Sequence, residues 1–142
     1  MQSALFDTSI YVAAVHSGDD GILAVRRFDS GSLVWLSAVV LEELYAGVGD
    51  RGRHVVERLE REFDRVKRIL VPNLGDWTEA GRVLSRLAAK YDCEQIGQGR
   101  LTNDALIATS AGRRGIRVLT TNERDFRKLA EFGSFQWQVA AV

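Results

Sequence analysis

The sequence predicts an α/β domain built on a mainly parallel sheet. Two observations carry that expectation. Short apolar runs alternate with longer stretches of helical periodicity along the chain. The apolar runs are continuous rather than alternating, as expected of strands covered on both faces.

The elements follow in order. Ala4-Leu5-Phe6 reads as a short buried strand ending at Asp7. Thr8 or Ser9 is placed to cap a helix reaching about His16, with Ile10, Tyr11, Ala14 and Val15 on its inner side. Gly18-Asp19-Asp20-Gly21 is a break, and Ile22 to Phe28 reads as a second helix. Leu33-Val34-Trp35-Leu36 is a second buried strand. Ser37 is placed to cap the next helix, which ends near Gly47 or Gly49.

From His54 to Arg68 the pattern is helical, with Val55, Val56, Leu59, Phe63 and Val66 on one side. Glu57–Arg61 and Asp64–Arg68 are favourable pairs one turn apart. Ile69-Leu70-Val71 reads as a third strand, closed by Pro72. Asp76 is placed to cap a long helix bearing Trp77, Ala80, Leu84, Leu87, Ala88 and Tyr91 on one stripe. Asp92 to Gly99 is a loop. Leu101 to Ala111 is a helix stopped by Gly112 or Gly115. Arg117-Val118-Leu119-Thr120 is a fourth strand, Glu123 to Ala130 a short helix, and Phe135 to Val139 a last strand.

At 142 residues the chain reads as one domain, 1–142, with enough length to bury a core without disulfides. A content of 46% hydrophobic and 27% charged residues is that of an ordinary globular protein. The net charge is zero, so no global basic field announces a nucleic-acid partner. One cysteine, Cys93, excludes an internal disulfide and a cysteine-based metal cluster. No segment has the length and apolarity of a membrane span. Asp7 interrupts the N-terminal apolar stretch and no basic residue precedes it, so the chain is read as cytoplasmic.

Four acids stand out by position. Asp7 ends the first strand, and Glu43 lies in Leu41-Glu42-Glu43-Leu44. Asp104 lies in Asn103-Asp104-Ala105-Leu106, and Asp125 follows Thr120-Thr121-Asn122. Carboxylates among apolar residues cost free energy unless compensated. A divalent cation is the simplest compensation for several of them, and oxygen-only ligands suit Mg²⁺ or Mn²⁺. Parallel sheets bind ligands beyond the C-terminal ends of their strands, so one pocket there could collect all four. Such a cluster suits phosphodiester hydrolysis by an activated water. Taken singly, each acid also has a plainer role: helix cap for Asp7, solvated helix residue for Glu43, first-turn acid for Asp104, helix start for Asp125. Arg113, Arg114 and Arg117, with Arg124, Arg127 and Lys128, are candidates for phosphate contacts beside the site.

These residues resemble the PIN-domain ribonucleases, and among them the VapC-type toxins of toxin–antitoxin pairs. The resemblance rests on Asp7-Thr8-Ser9, Glu43-Leu44 with Gly47, Asn103-Asp104-Ala105-Leu106-Ile107-Ala108, and Thr121-Asn122 followed by Asp125-Phe126. It implies a three-layer α/β/α fold with a five-stranded sheet and a Mg²⁺- or Mn²⁺-dependent endoribonuclease. Asp7 and Asp104 would lead as metal ligands. Glu43 and Asp125 would complete the cluster directly or through water. Thr8 and Thr121 hydroxyls would orient the carboxylates. Family members often carry a further acid where this chain has Asn122. Periodicity does not separate Glu42 from Glu43; the resemblance, which puts the acid directly before Leu, selects Glu43. It also implies a homodimer and an antitoxin whose tail occludes the acidic site.

Competing expectations are distinct in chemistry. A phosphotransfer receiver needs an acidic pair after the first strand and a Lys after a late strand; Asp7 is followed by Thr8-Ser9, and no suitable Lys follows Val118-Leu119-Thr120. An aspartyl-phosphate phosphatase needs a second Asp at position 9, which is Ser9. A non-catalytic RNA- or protein-binding module of the same fold would dispense with the acids. A PIN nuclease of RNA processing or decay would keep them.

Overall fold

A computed structural model describes residues 2–16, 32–91 and 101–140 of the chain. Five strands form one parallel sheet: β1 (Gln2–Phe6), β2 (Ser32–Ser37), β3 (Ile69–Leu70), β4 (Arg117–Thr120) and β5 (Trp137–Val139). Their order is β3-β2-β1-β4-β5. Register is set by pairs such as Leu5 with both Trp35 and Val118, and Leu119 with Gln138. Five helices are present among the described residues: α1 (Thr8–His16), α2 (Ala38–Arg65), α3 (Leu74–Lys90), α4 (Thr102–Arg114) and α5 (Glu123–Ala130). The expected break at 18–21, the helix at 22–28, the loop at 92–99 and Cys93 lie outside the described residues.

The strand order reverses beside β1. The chain steps one way from β1 through β2 to β3, then returns to add β4 and β5 on the other side. Right-handed crossovers in opposite directions put their helices on opposite faces of the sheet. Helix α1 packs on α2, and α4 packs on α3 and α5, giving the three-layer α/β/α arrangement. The two faces are covered, so the central strands carry apolar side chains in succession. Ala4, Leu5 and Phe6 are fully buried, and Leu36, Val118 and Leu119 join them in the core. No described helix is long and apolar enough to cross a membrane.

Local chemistry sets the helix ends. The Ser37 side chain accepts the Val39 amide and caps α2 as expected. Gly49 takes φ 64°, ψ −166°, a conformation open essentially to glycine alone, and it kinks α2 into the two helical stretches that the sequence predicts. Tyr45 on the first stretch donates to Glu60 on the second at 2.7 Å, tying the two arms together. Arg53–Glu57 and Arg58–Glu62 are ion pairs on the outer face, while Arg68 turns inward to the Val34 carbonyl. The cap of α3 is Asn73 rather than Asp76. Asn73 accepts the Asp76 amide and Asp76 returns a carboxylate to the Asn73 amide, a reciprocal capping box. Likewise, Thr8 and Ser9 lie inside α1 rather than capping it, and their hydroxyls donate to carboxylates, Ser9 to Asp7 at the strand end and Thr8 to Glu43 on α2.

Candidate active site

The reversal of strand order leaves a crevice between the C-terminal ends of β1 and β4, the place where open α/β sheets take ligands. Asp7 is the first residue past β1 and is 4% exposed. Its amide bonds the Leu119 carbonyl at 2.8 Å, which fixes it against the end of β4. Its Oδ1 accepts the Thr8 amide at 2.8 Å. Its Oδ2 accepts two hydroxyls, Thr120 Oγ1 at 2.7 Å and Ser9 Oγ at 3.2 Å. A simple helix cap would take the amides two and three residues on. Here the Ile10 amide goes instead to the Asp7 backbone carbonyl, and the carboxylate faces hydroxyls.

From Asp7 a hydrogen-bonded network runs both ways. Thr8 Oγ1 donates to Glu43 Oε1 at 2.6 Å, joining the start of α1 to the first turns of α2. It is therefore Glu43 that meets the Asp7 loop, while the neighbouring Glu42 is exposed and takes the Asn103 side-chain amide at 3.4 Å. On the other side, the Asn122 amide donates to Thr120 Oγ1 at 2.9 Å. The Asn122 side chain donates to Asp125 Oδ2 at 2.9 Å, and its carbonyl accepts the Asp125 amide at 3.3 Å. That reciprocal pair caps α5, so Asp125 does serve as a helix-start residue, and it does so within the network that holds Asp7. Asp104 sits in the first turn of α4, next to the Asn103 that reaches α2.

The arrangement thus brings Asp7, Glu43 and Asp125 into one connected set and places Asp104 at the start of the helix beside it. Among the described residues, no three Asp, Glu, His or Cys side chains stand close enough to enclose an ion by themselves. The donor chemistry nonetheless fits a hard cation. Asp7 is a buried carboxylate whose partners are neutral hydroxyls and one amide, and among the described residues no Lys or Arg forms an ion pair with it. Mg²⁺ commonly takes one or two carboxylates and keeps several waters, so it does not require a closed protein cage.

Three expectations are corrected. The hydroxyl on Asp7 is that of Thr120, the last residue of β4; Thr121 is exposed and gives only its amide, to Ser9 Oγ at 3.4 Å. Thr120 is fully buried because it is still part of the strand, whereas Thr121 has left the sheet. Arg113 and Arg114 do not flank the acids. They end α4 beside the beginning of β4, about 14–15 Å along the helix axis from Asp104 at about 1.5 Å per residue. Arg113 is held by both oxygens of the buried Asp76 at 2.9 and 3.0 Å, and Arg114 stacks over Trp35 with its guanidinium 5.0 Å from the ring centroid. Arg124 remains on the site's side, exposed in the first turn of α5. Ser9 and Thr120 are contributors that the sequence reading passed over. The available signal was a hydroxyl residue ending an otherwise apolar strand.

Comparison with known proteins agrees with the architecture. A family profile described as PIN domain matches residues 4–132. A search of curated proteins gives no match. Among solved structures, DNA-bound VapBC from Salmonella typhimurium is 18% identical with a TM-score of 0.65, covering 98% of each chain. VapBC2 from Rickettsia felis, bound to a promoter DNA fragment, is 18% identical with a TM-score of 0.66, covering 99% of this chain and 100% of that one. VapBC-1 from nontypeable Haemophilus influenzae is 20% identical with a TM-score of 0.63, covering 97% and 98%. At these identities the likeness is one of fold.

Proposed function

The chain belongs to the PIN-domain family, and on that premise we propose that it is the toxin of a toxin–antitoxin pair, a Mg²⁺- or Mn²⁺-dependent endoribonuclease. The observation that carries this reading is the connected set Glu43–Thr8–Asp7–Thr120–Asn122–Asp125 at the switch point of the sheet. Asp7 and Asp104 would be the leading ligands of the cation, with Glu43 and Asp125 bound directly or through water. The ion, when bound, polarises a phosphoryl oxygen and lowers the pKa of a water.

The chain's own residues have separable tasks. Thr120 and Ser9 fix the Asp7 carboxylate, so that it meets a ligand without reorganising. Thr8 does the same for Glu43. A carboxylate left over from ligation is available to orient the attacking water or to accept its proton. Asn122 has both ends of its side chain engaged with Asp125 and acts by holding that acid. Arg124 is the cation best placed to meet substrate phosphate. The substrate is single-stranded or looped RNA, whose backbone is free to enter a crevice.

The solved relatives are VapBC assemblies, which supports an antitoxin as partner and a heterocomplex with it. A homodimer and a cytoplasmic location complete the proposal. An antitoxin guanidinium inserted among the acids would pair with carboxylates where the cation acts.

The decisive experiment is cleavage of RNA by the purified chain. Activity should require Mg²⁺ or Mn²⁺, vanish with EDTA and return when the ion is restored. Asp7→Asn should be folded, by circular dichroism and cooperative unfolding, and inactive. A fully active Asp7→Asn variant would refute the assignment.

A further inference from the structure

Beside the acids lies a groove of about 380 Å³ that the network does not use. It is lined by Val39 and Leu106, by Pro72 and Trp77, and by Glu42 and Asn103. Trp77 is 55% exposed, although α3 has a buried face for large apolar groups. Glu42 and Asn103 are hydrogen-bonded to each other, and each is adjacent in sequence to a candidate site acid, Glu43 and Asp104. The groove and the acidic crevice therefore share the first turns of α2 and α4.

We infer that this groove receives the unpaired base flanking the scissile phosphate, with Trp77 as its stacking surface and Glu42 as the group that selects guanine. The inference rests on the nuclease reading above and adds a specificity determinant to it. The volume suits a purine, and the apolar lining suits a base face. An exposed indole is the side chain on which unpaired bases stack. A carboxylate has two acceptor oxygens and no donor. Guanine alone presents two adjacent N–H donors, N1–H and the N2 amino group, on its Watson–Crick edge, and they match those two oxygens. Adenine and cytosine offer one amino group there, and uracil one imino group. An acid on the groove wall thus favours guanine, and Asn103, bonded to Glu42, holds that carboxylate in place.

The test uses binding as well as cleavage. Hexauridylate oligomers carrying a single central guanine or adenine are titrated against the Asp7→Asn chain with Mg²⁺, following tryptophan fluorescence and oligomer anisotropy. The guanine oligomer should bind more tightly and quench the fluorescence. Trp77→Ala should weaken it roughly 10-fold or more, Trp77→Phe should recover most of the loss, and Glu42→Gln should abolish the preference for guanine over adenine. Trp77→Ala binding both oligomers as well as the parent would overturn the inference. So would a Trp77→Ala chain that changes only its sedimentation, from dimer to monomer, which would assign the face to a second copy. RNA cleavage by the otherwise native chain that is indifferent to Trp77 and Glu42 would overturn the base site and leave the nuclease reading standing. Trp77-dependent binding of guanine with no cleavage by the native chain would support the groove and refute the nuclease. No RNA binding at all would refute both.

Discussion

Thr120 donates its hydroxyl to Asp7 Oδ2 at 2.7 Å, across 113 residues of sequence. Both residues are buried, and both stand at the strand ends that border the reversal of strand order. One bond thus orients the Asp7 carboxylate and joins the two halves of the sheet where the candidate site lies.

Removing that hydroxyl should separate orientation from fold. With Asp7 as the proposed metal ligand, Thr120→Val is expected to lower RNA cleavage about 10- to 100-fold, the usual effect of losing a group that supports such a ligand. It should also cost about 1–3 kcal/mol by leaving a buried carboxylate oxygen short of a donor. Thr120→Ser should restore most of both. Steady-state cleavage and urea denaturation of the three chains provide the check.

Glu43 and Glu42 should behave differently despite being neighbours. Glu43→Gln is expected to reduce kcat by at least about 10-fold, since it alters a carboxylate tied to the Asp7 loop through Thr8. Glu42→Gln is expected to act on KM, and only for substrates bearing guanine in the groove. Kinetics on paired oligomers distinguish the two.

Arg113 should prove to be a stability residue. Arg113→Ala leaves the buried Asp76 carboxylate without its cation, and the expected loss is about 3 kcal/mol, the low end for breaking a buried pair because Arg113 is itself 35% exposed. Cleavage per folded molecule should be unchanged. A selective rise in KM with unaltered stability would contradict this placement.

Tyr45 offers a pH signature. Partial burial, with the Glu60 carboxylate accepting its hydroxyl, pushes its pKa up to about 12 from an ordinary 10.0. The folded state thus favours the protonated phenol. The contribution to stability is full below pH 10 and is lost as pH rises through about 12. In absorbance titrations compared with the parent chain, Tyr45→Phe should lose one late-ionising tyrosine, and it should lessen the alkaline fall in stability between these values.

Most of the fold was legible because helix and strand leave different periods in the sequence. Arg117–Thr120 and Glu123–Ala130 coincide with the expected elements, since a continuous apolar run and a capped amphipathic stretch are local signals. The interruption was legible as a helix end at Gly47 or Gly49, and the structure assigns it to Gly49 as a kink between two helical stretches. Caps were less secure. Asn73 and Asp76 are both good capping residues three apart, and the reciprocal bonds that rank them form only in the folded helix.

The candidate site divides in the same way. The types of its acids and their order along the chain were available from the sequence, and so was the resemblance that they carry. The partners were not. Glu42 and Glu43 have the same local surroundings, and only the docking of α2 against the β1 loop brings Thr8 to one and Asn103 to the other. Thr120 and Thr121 are likewise identical as residues, and departure from the sheet sends one into the core and the other to solvent. Arg113 and Arg114 lie close to the acids in sequence terms, yet the length of α4 carries them to the far end of the domain. Sequence determined the elements, the strand count and the inventory of carboxylates, because these depend on residue type and short-range spacing. Tertiary structure alone decided which hydroxyl meets which carboxylate and which cations are spent on packing, because those contacts join segments that are distant along the chain and are set by how helices dock on the sheet.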